Sequence, residues 1–235
     1  APRVATNAKA APHALATLGL PIRIDDVAID HASIRFADRA KQGRQPGYLE
    51  FTDLRGTIEG IDTREGSPPA IAKATGTLNG VGALQLTMAV PLAEPPPTMA
   101  LNGSVRDLDL TTLNTILPHV AGVRVKNGRI DHATFDIHVD TGTVRGDAAI
   151  GYRDLAVRFE DKNTGKQSVK QAMMSTIAPL LVSRKNTNRQ GDVKNPVVFT
   201  RPVPKDKPFW TVFWLGFQAA IEQTLLPKGM PGKKK

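Results

Sequence analysis

The sequence predicts a mainly β fold: an extended, curved antiparallel sheet of repeated hairpins that forms a β-groove, with one short intervening helix and amphipathic helices at the C-terminus. Three observations predict it. Apolar and polar residues alternate over most of residues 20–160, clusters of turn-forming residues separate the alternating runs, and beyond residue 160 the apolar period becomes that of a helix. With 235 residues, 40% of them apolar and 23% charged, the chain can bury a core as one large domain or two small ones. The absence of cysteine excludes a disulfide framework, an iron–sulfur cluster, thiolate zinc and a cysteine nucleophile.

Residues 1–19 are Ala-rich, contain Pro2 and Pro12, and read as an extended or frayed leader. The chain opens at Ala1 without an initiator methionine, a basic n-region or an apolar h-region, as expected of a processed product or a piece of a longer chain. Alternation starts with Ile22, Ile24, Val27 and Ile29, and continues through Ile34 and Phe36, then Leu49 and Phe51. It returns at Leu84, Leu86, Met88 and Val90, at Phe135, Ile137 and Val139, at Ala148, Ile150 and Tyr152, and at Leu155, Val157 and Phe159. Each run has one apolar face, as in half-buried antiparallel strands, and nine or ten strands are expected. Turns are expected at 41–47, 66–69, Asn79-Gly80, 94–97, Asn127-Gly128 and Thr141-Gly142. A single helix is expected near Thr111–His119, capped by Asp109 and ended by Pro118.

Past residue 160, Val169, Met173, Ile177 and Leu181 recur every four residues within a helix over Ser168–Ser183, which Pro179 kinks. A short extended segment, Pro196–Thr200, leads to a second helix at about 208–226. The expected organisation is a leader (1–19), a curved sheet (20–160) and a basic helical tail (161–235).

Residues 22–34 (IRIDDVAIDHASI) align without a gap on residues 123–135 (VRVKNGRIDHATF), the shared core being Ile29–Ala32 and Ile130–Ala133. Each copy reads as a short strand, a tight turn and a second strand, so the unit is a hairpin used twice. A long sheet of hairpins with one apolar face curls into a trough. Its expected lining is Leu86 and Met88, then Phe135, Ile137 and Val139, then Ile150, Leu155, Val157 and Phe159.

Residues 113–131 (LNTILPHVAGVRVKNGRID), running on to 142–157 (GTVRGDAAIGYRDLAV), resemble the C-terminal region of AsmA-like envelope proteins. That pattern has a short helix, an apolar strand, a small turn before Ile/Leu-Asp, and then a glycine followed by Tyr-x-Asp-Leu-x-Val. Residues 22–38 are similar to a hairpin that recurs in these proteins, and residues 207–217 (KPFWTVFWLGF) to a closing helix of some members. The resemblance covers roughly residues 20–226. It implies a β-rich, groove-forming protein of the Gram-negative periplasm or cell envelope, associated with phospholipid transport or outer-membrane homeostasis.

The net charge of +9 resembles a nucleic-acid signal until it is divided along the chain. Residues 1–160 balance to −1 and residues 161–235 to +10, so the positive charge belongs to a tail on a near-neutral body. Within that tail Phe209, Phe213 and Phe217 form one helical stripe and Trp210 with Trp214 the next, flanked by Lys205, Lys207 and Lys228. The stretch from Phe209 to Ile221 is well short of the roughly 20 residues of a spanning helix. It reads either as an in-plane membrane helix with lysines on anionic headgroups or as a lid packed over the open end of the sheet. The expected partners are phospholipid and a membrane surface, with other envelope proteins a further class. Nucleic acid is disfavoured, because the aromatic residues line a helix face instead of forming stacking platforms on a sheet.

Chemistry finds little foothold. His132, Asp136 and His138 share the polar face of one strand, a spacing open to zinc and equally to solvent-facing strand residues. His31 occupies the same repeat position as His132, which favours a structural slot. The glycine-rich stretch 76–82 lacks the Lys-Ser/Thr of a phosphate loop, and no Gly-x-Ser-x-Gly elbow occurs. The sequence therefore points to a non-enzymatic protein with no cofactor or metal. It either holds phospholipid acyl chains in its groove or acts as a periplasmic scaffold with a packed sheet and a basic docking tail.

Overall fold

Because each alternating run finds an antiparallel partner in the next, the strands assemble in the order in which the chain supplies them. The computed structural model describes residues 21–37, 46–92, 98–120, 122–140, 142–160 and 197–202. These form one curved, unclosed sheet of eight antiparallel strands with sequential order. The strands are β1 (Arg23–Ala37), β2 (Tyr48–Asp62), β3 (Ala70–Leu78), β4 (Gly82–Val90), β5 (Met99–Asp109), β6 (Val123–Asp140), β7 (Thr143–Phe159) and β8 (Val197–Pro202). Asn79 and Gly80, both with positive φ (49° and 74°), turn β3 into β4 as expected, the backbone such hairpins require. β8 coincides with the extended segment expected at Pro196–Thr200. The expected helices at 168–183 and 208–226 lie outside the described residues, and among the described residues no helix is long and apolar enough to cross a membrane.

There are eight described strands instead of nine or ten because three expected breaks are bulges. Residues 22–34 do not form a hairpin; from Arg23 on they lie within the 15-residue β1, and residues 123–135 lie within the 18-residue β6. Asn127-Gly128 is a register shift inside β6, where β7 pairs with Val125, Asn127 and Arg129 and carries the strand through the irregularity. Leu155 continues β7 beyond Asp154, whose φ of 52° marks the irregularity. The internal repeat nevertheless extends further than residues 22–34. At the same offset, Phe51-Thr-Asp-Leu54 matches Tyr152-Arg-Asp-Leu155, and Glu59 matches Glu160. Asp53 (φ 50°) and Asp154 share the left-handed conformation, and each precedes a leucine that is 5% exposed. The copies differ in register: Ile29 faces Gly56, whereas Ile130 faces Tyr152.

One end of the trough is stoppered by the segment between β5 and β6. It is a 3-10 helix, Leu110–Thr115, followed by one α-helical turn, α1 (Leu117–Val120), where a single helix was expected. Pro118 sits in the first turn of α1 instead of ending the helix, and there its missing N–H costs no hydrogen bond. Asp109 is the expected cap: its Oδ1 accepts from the Thr111 N–H (2.8 Å) and hydroxyl (2.7 Å), which holds its carboxyl below the usual range. Leu113, Ile116 and Leu117 are buried against Leu49, Leu78, Leu84, Leu108 and Val123. The segment's polar groups are tied to the strands around it. The Asn114 amide donates to the Val125 carbonyl and accepts from the Val125 N–H, the Thr115 hydroxyl donates to the Tyr48 carbonyl, and Asn79 donates to the Thr112 carbonyl.

A second apolar cluster, which includes Val90, Met99, Val144, Val197 and Phe199, packs the opposite end. At the stoppered end the Glu160 side chain is 1% exposed, and its Oε1 accepts from Arg124 Nε (2.7 Å) and from Arg158. Burial opposes ionisation there, but the two guanidinium groups outweigh it and hold the carboxyl below its usual range.

Leu117→Ala, at a side chain with no exposed surface, is expected to lower unfolding stability by about 2–5 kcal/mol in urea titration. A carboxylate with a depressed folded pKa contributes stability in full above its unfolded pKa, and that contribution is lost as pH falls through the folded value. Glu160→Gln is therefore expected to be less stable than wild type at neutral pH, with the gap narrowing below about pH 4.

Candidate functional site

The inward face of the sheet is not evenly filled, and the reason lies in β3. Its inward positions are Ala70, Ala72, Ala74, Gly76 and Leu78, small residues in all but the last place. In one cross-strand row Ala74 stands between Gly56 of β2 and Leu86 of β4; in the next, Ala72 stands between Ile58 and Met88. Gly56 has no alternative, since a Cβ there would lie 1.9 Å from the Lys73 carbonyl oxygen. Taller side chains on β1, β2 and β4 thus surround a low floor. The result is a cavity of about 340 Å³ bounded by Ile29, Ile34, Phe51, Ile58, Leu86 and Met88, with Ala72 and Ala74 beneath. Its outer wall is the edge strand β1, where Ile34 is 39% exposed. A second cavity of about 90 Å³ lies deeper, toward the stopper, against Leu84, Leu108, Ile130, Phe135 and Ile150. Among the described residues no charged side chain lines either cavity.

The expected groove residues divide three ways. Leu86 and Met88 line the larger cavity, and Leu86, Phe135, Ile137 and Ile150 the smaller. Val139 is buried in the cluster at the far end. Leu155, Val157 and Phe159 are buried in the cluster around the stopper and line neither cavity, because the helical segment covers them. Phe209, Trp210, Phe213, Trp214, Phe217, Lys205, Lys207 and Lys228 lie outside the described residues. The larger cavity is built mostly from residues that sequence reasoning did not single out as a site, among them Phe51, Leu54, Ile58, Ala72 and Ala74. The available signal was the alternation of small residues along β3, which marks missing volume on an otherwise apolar face.

The outward face is polar and carries the charges. At the bulge of β1, His31 (φ 47°) places Nδ1 2.6 Å from Asp53 Oδ1, while its Nε2 lies 2.9 Å from Arg55 Nη2. His31 thus links two left-handed positions, its own and Asp53's, on adjacent strands. The ring is well exposed and stands on the opposite face from the cavities. His138 Nε2 pairs with Asp136 Oδ1 at 2.9 Å, and among the described residues no three potential metal ligands cluster. Among the described residues the larger cavity is lined by apolar side chains alone, a lining that favours hydrocarbon over water. No known protein family, curated protein or solved structure matches the chain.

Proposed function

We propose that this is a non-enzymatic lipid-binding protein that shelters the hydrocarbon chain of a phospholipid in the groove between β1 and β5. The observation that carries the reading is the 340 Å³ cavity, bounded by apolar side chains and lying against β1, an edge strand of the unclosed sheet among the described residues. An apolar cavity of about 150 Å³ holds benzene, so this one has room for about a dozen carbon atoms. A headgroup has no polar partner inside and stays at the mouth, in water or at a membrane surface. The sequence resemblance to AsmA-like envelope proteins supports placing this activity in the periplasm or envelope of a Gram-negative bacterium, in lipid transport or outer-membrane homeostasis. The basic, aromatic tail supplies chemistry suited to an anionic bilayer. The competing reading, a scaffold with a packed sheet, calls for a filled inner face, and the cavity counts against it.

Ala72→Leu and Ala74→Leu test the reading without unfolding the protein, because each puts side-chain volume into the cavity and adds no polar group. Native mass spectrometry of the protein extracted in mild detergent is expected to show bound phospholipid in wild type and its loss in both variants. Thermal stability is expected to rise by about 0.5–2 kcal/mol in the variants. Wild-type protein free of lipid, or variants that keep it, would refute the proposal.

A further inference from the structure

The two cavities have only Phe51 and Leu86 in common among their lining residues. Phe51 projects from β2 and Leu86 from β4, on either side of β3. Both are half-buried, and both pack against the cluster around the stopper without belonging to its fully buried centre. Beyond them the smaller cavity leads toward Leu84 and Leu108, where the helical segment ends the trough. A chain lying in the larger cavity therefore meets these two side chains before it can reach the remaining apolar volume.

We propose that Phe51, with Leu86 as the lesser partner, is the stop that sets the length of hydrocarbon chain the groove admits. The inference rests on the lipid-binding reading above and adds its selectivity. Phe51 has the larger side chain of the pair, and an aromatic ring blocks with a rigid plane where an aliphatic side chain would yield. Removing it joins the 90 Å³ space to the larger cavity and adds the volume of the ring itself. By the scaling that puts benzene in about 150 Å³, the smaller cavity alone admits about four more carbons.

The test is the affinity of the full chain for saturated fatty acids from octanoate to stearate, measured by displacement of a fluorescent fatty acid. Affinity in wild type is expected to rise by about fourfold per methylene and then level off near a dozen carbons. In Phe51→Ala the levelling point is expected to move out by about four carbons, and in Leu86→Ala by less. Leu117→Ala, a core deletion away from the constriction, controls for general loosening and is expected to leave the levelling point in place. Wild type that binds no fatty acid of any length overturns the lipid-binding reading and this inference with it. Wild type that levels off, with Phe51→Ala levelling at the same length, overturns the inference alone. Should Phe51→Ala not fold, Phe51→Leu and Leu86→Ala carry the same expectation, and an unmoved levelling point in both overturns it.

Discussion

An unclosed sheet must satisfy its inner face without a second sheet to pack against, and here that constraint is met by one short segment. Leu113, Ile116 and Leu117 enter the end of the trough and gather six strands around them, from Leu49 on β2 to Phe159 on β7. The segment is only a 3-10 turn and a single α turn, too short to be stable alone. Its conformation is imposed by burial and by hydrogen bonds from Asn79, Asn114 and Thr115, each of which satisfies a backbone group that the irregular chain would otherwise bury unpaired. Covering one end leaves the inner face between β1 and β5 without a lid among the described residues.

Curvature is the second requirement, and it is written into positions that most residues avoid. His31, Asp53, Asp107 and Asp154 all have positive φ inside or beside strands, where aspartate and histidine are tolerated better than β-branched residues. Each irregularity bends its strand and increases the local twist, which lets long strands wrap around a core that flat ones could not enclose. Asp53 and Asp154 recur at equivalent places in the repeat although the two copies pair in different registers. The repeat therefore preserves the shape of individual strands, a bulge followed by a buried leucine, and not a hairpin with a fixed partner alignment.

This explains what the sequence disclosed and what it withheld. Alternation located the inward face because its period is a local property, and Asn79-Gly80 located a turn because its φ values admit few residues. Asn127-Gly128 carries the same local signature, yet pairing of β6 with β7 overrides it, and that pairing is not visible in thirteen residues. The groove was legible as a face and not as a volume. Leu155, Val157 and Phe159 have the same pattern as Leu86 and Met88, and only the position of the helical segment separates covered residues from lining ones. Ala72 and Ala74 mark the groove by the side-chain volume they lack, a signal that large apolar residues do not carry.

Empty apolar space is itself an energetic statement. Cavities left by core truncations destabilise proteins by about 24 cal/mol per Å³, so an enclosed void of 340 Å³ would cost about 8 kcal/mol, comparable to the whole stability of an ordinary domain. Single leucines at positions 72 and 74 would fill much of this one, and the neighbouring strands already carry residues of that size at Ile58, Leu86 and Met88. The space also lies against β1, an edge strand among the described residues, where it is open and escapes part of the penalty of an enclosed void. Water that enters from the edge meets no hydrogen-bonding side chain along the cavity and gains little by staying. A hydrocarbon chain lying there would recover both the dispersion contacts that the void forgoes and the apolar area that water would wet, the stabilisation on which the proposed lipid binding draws.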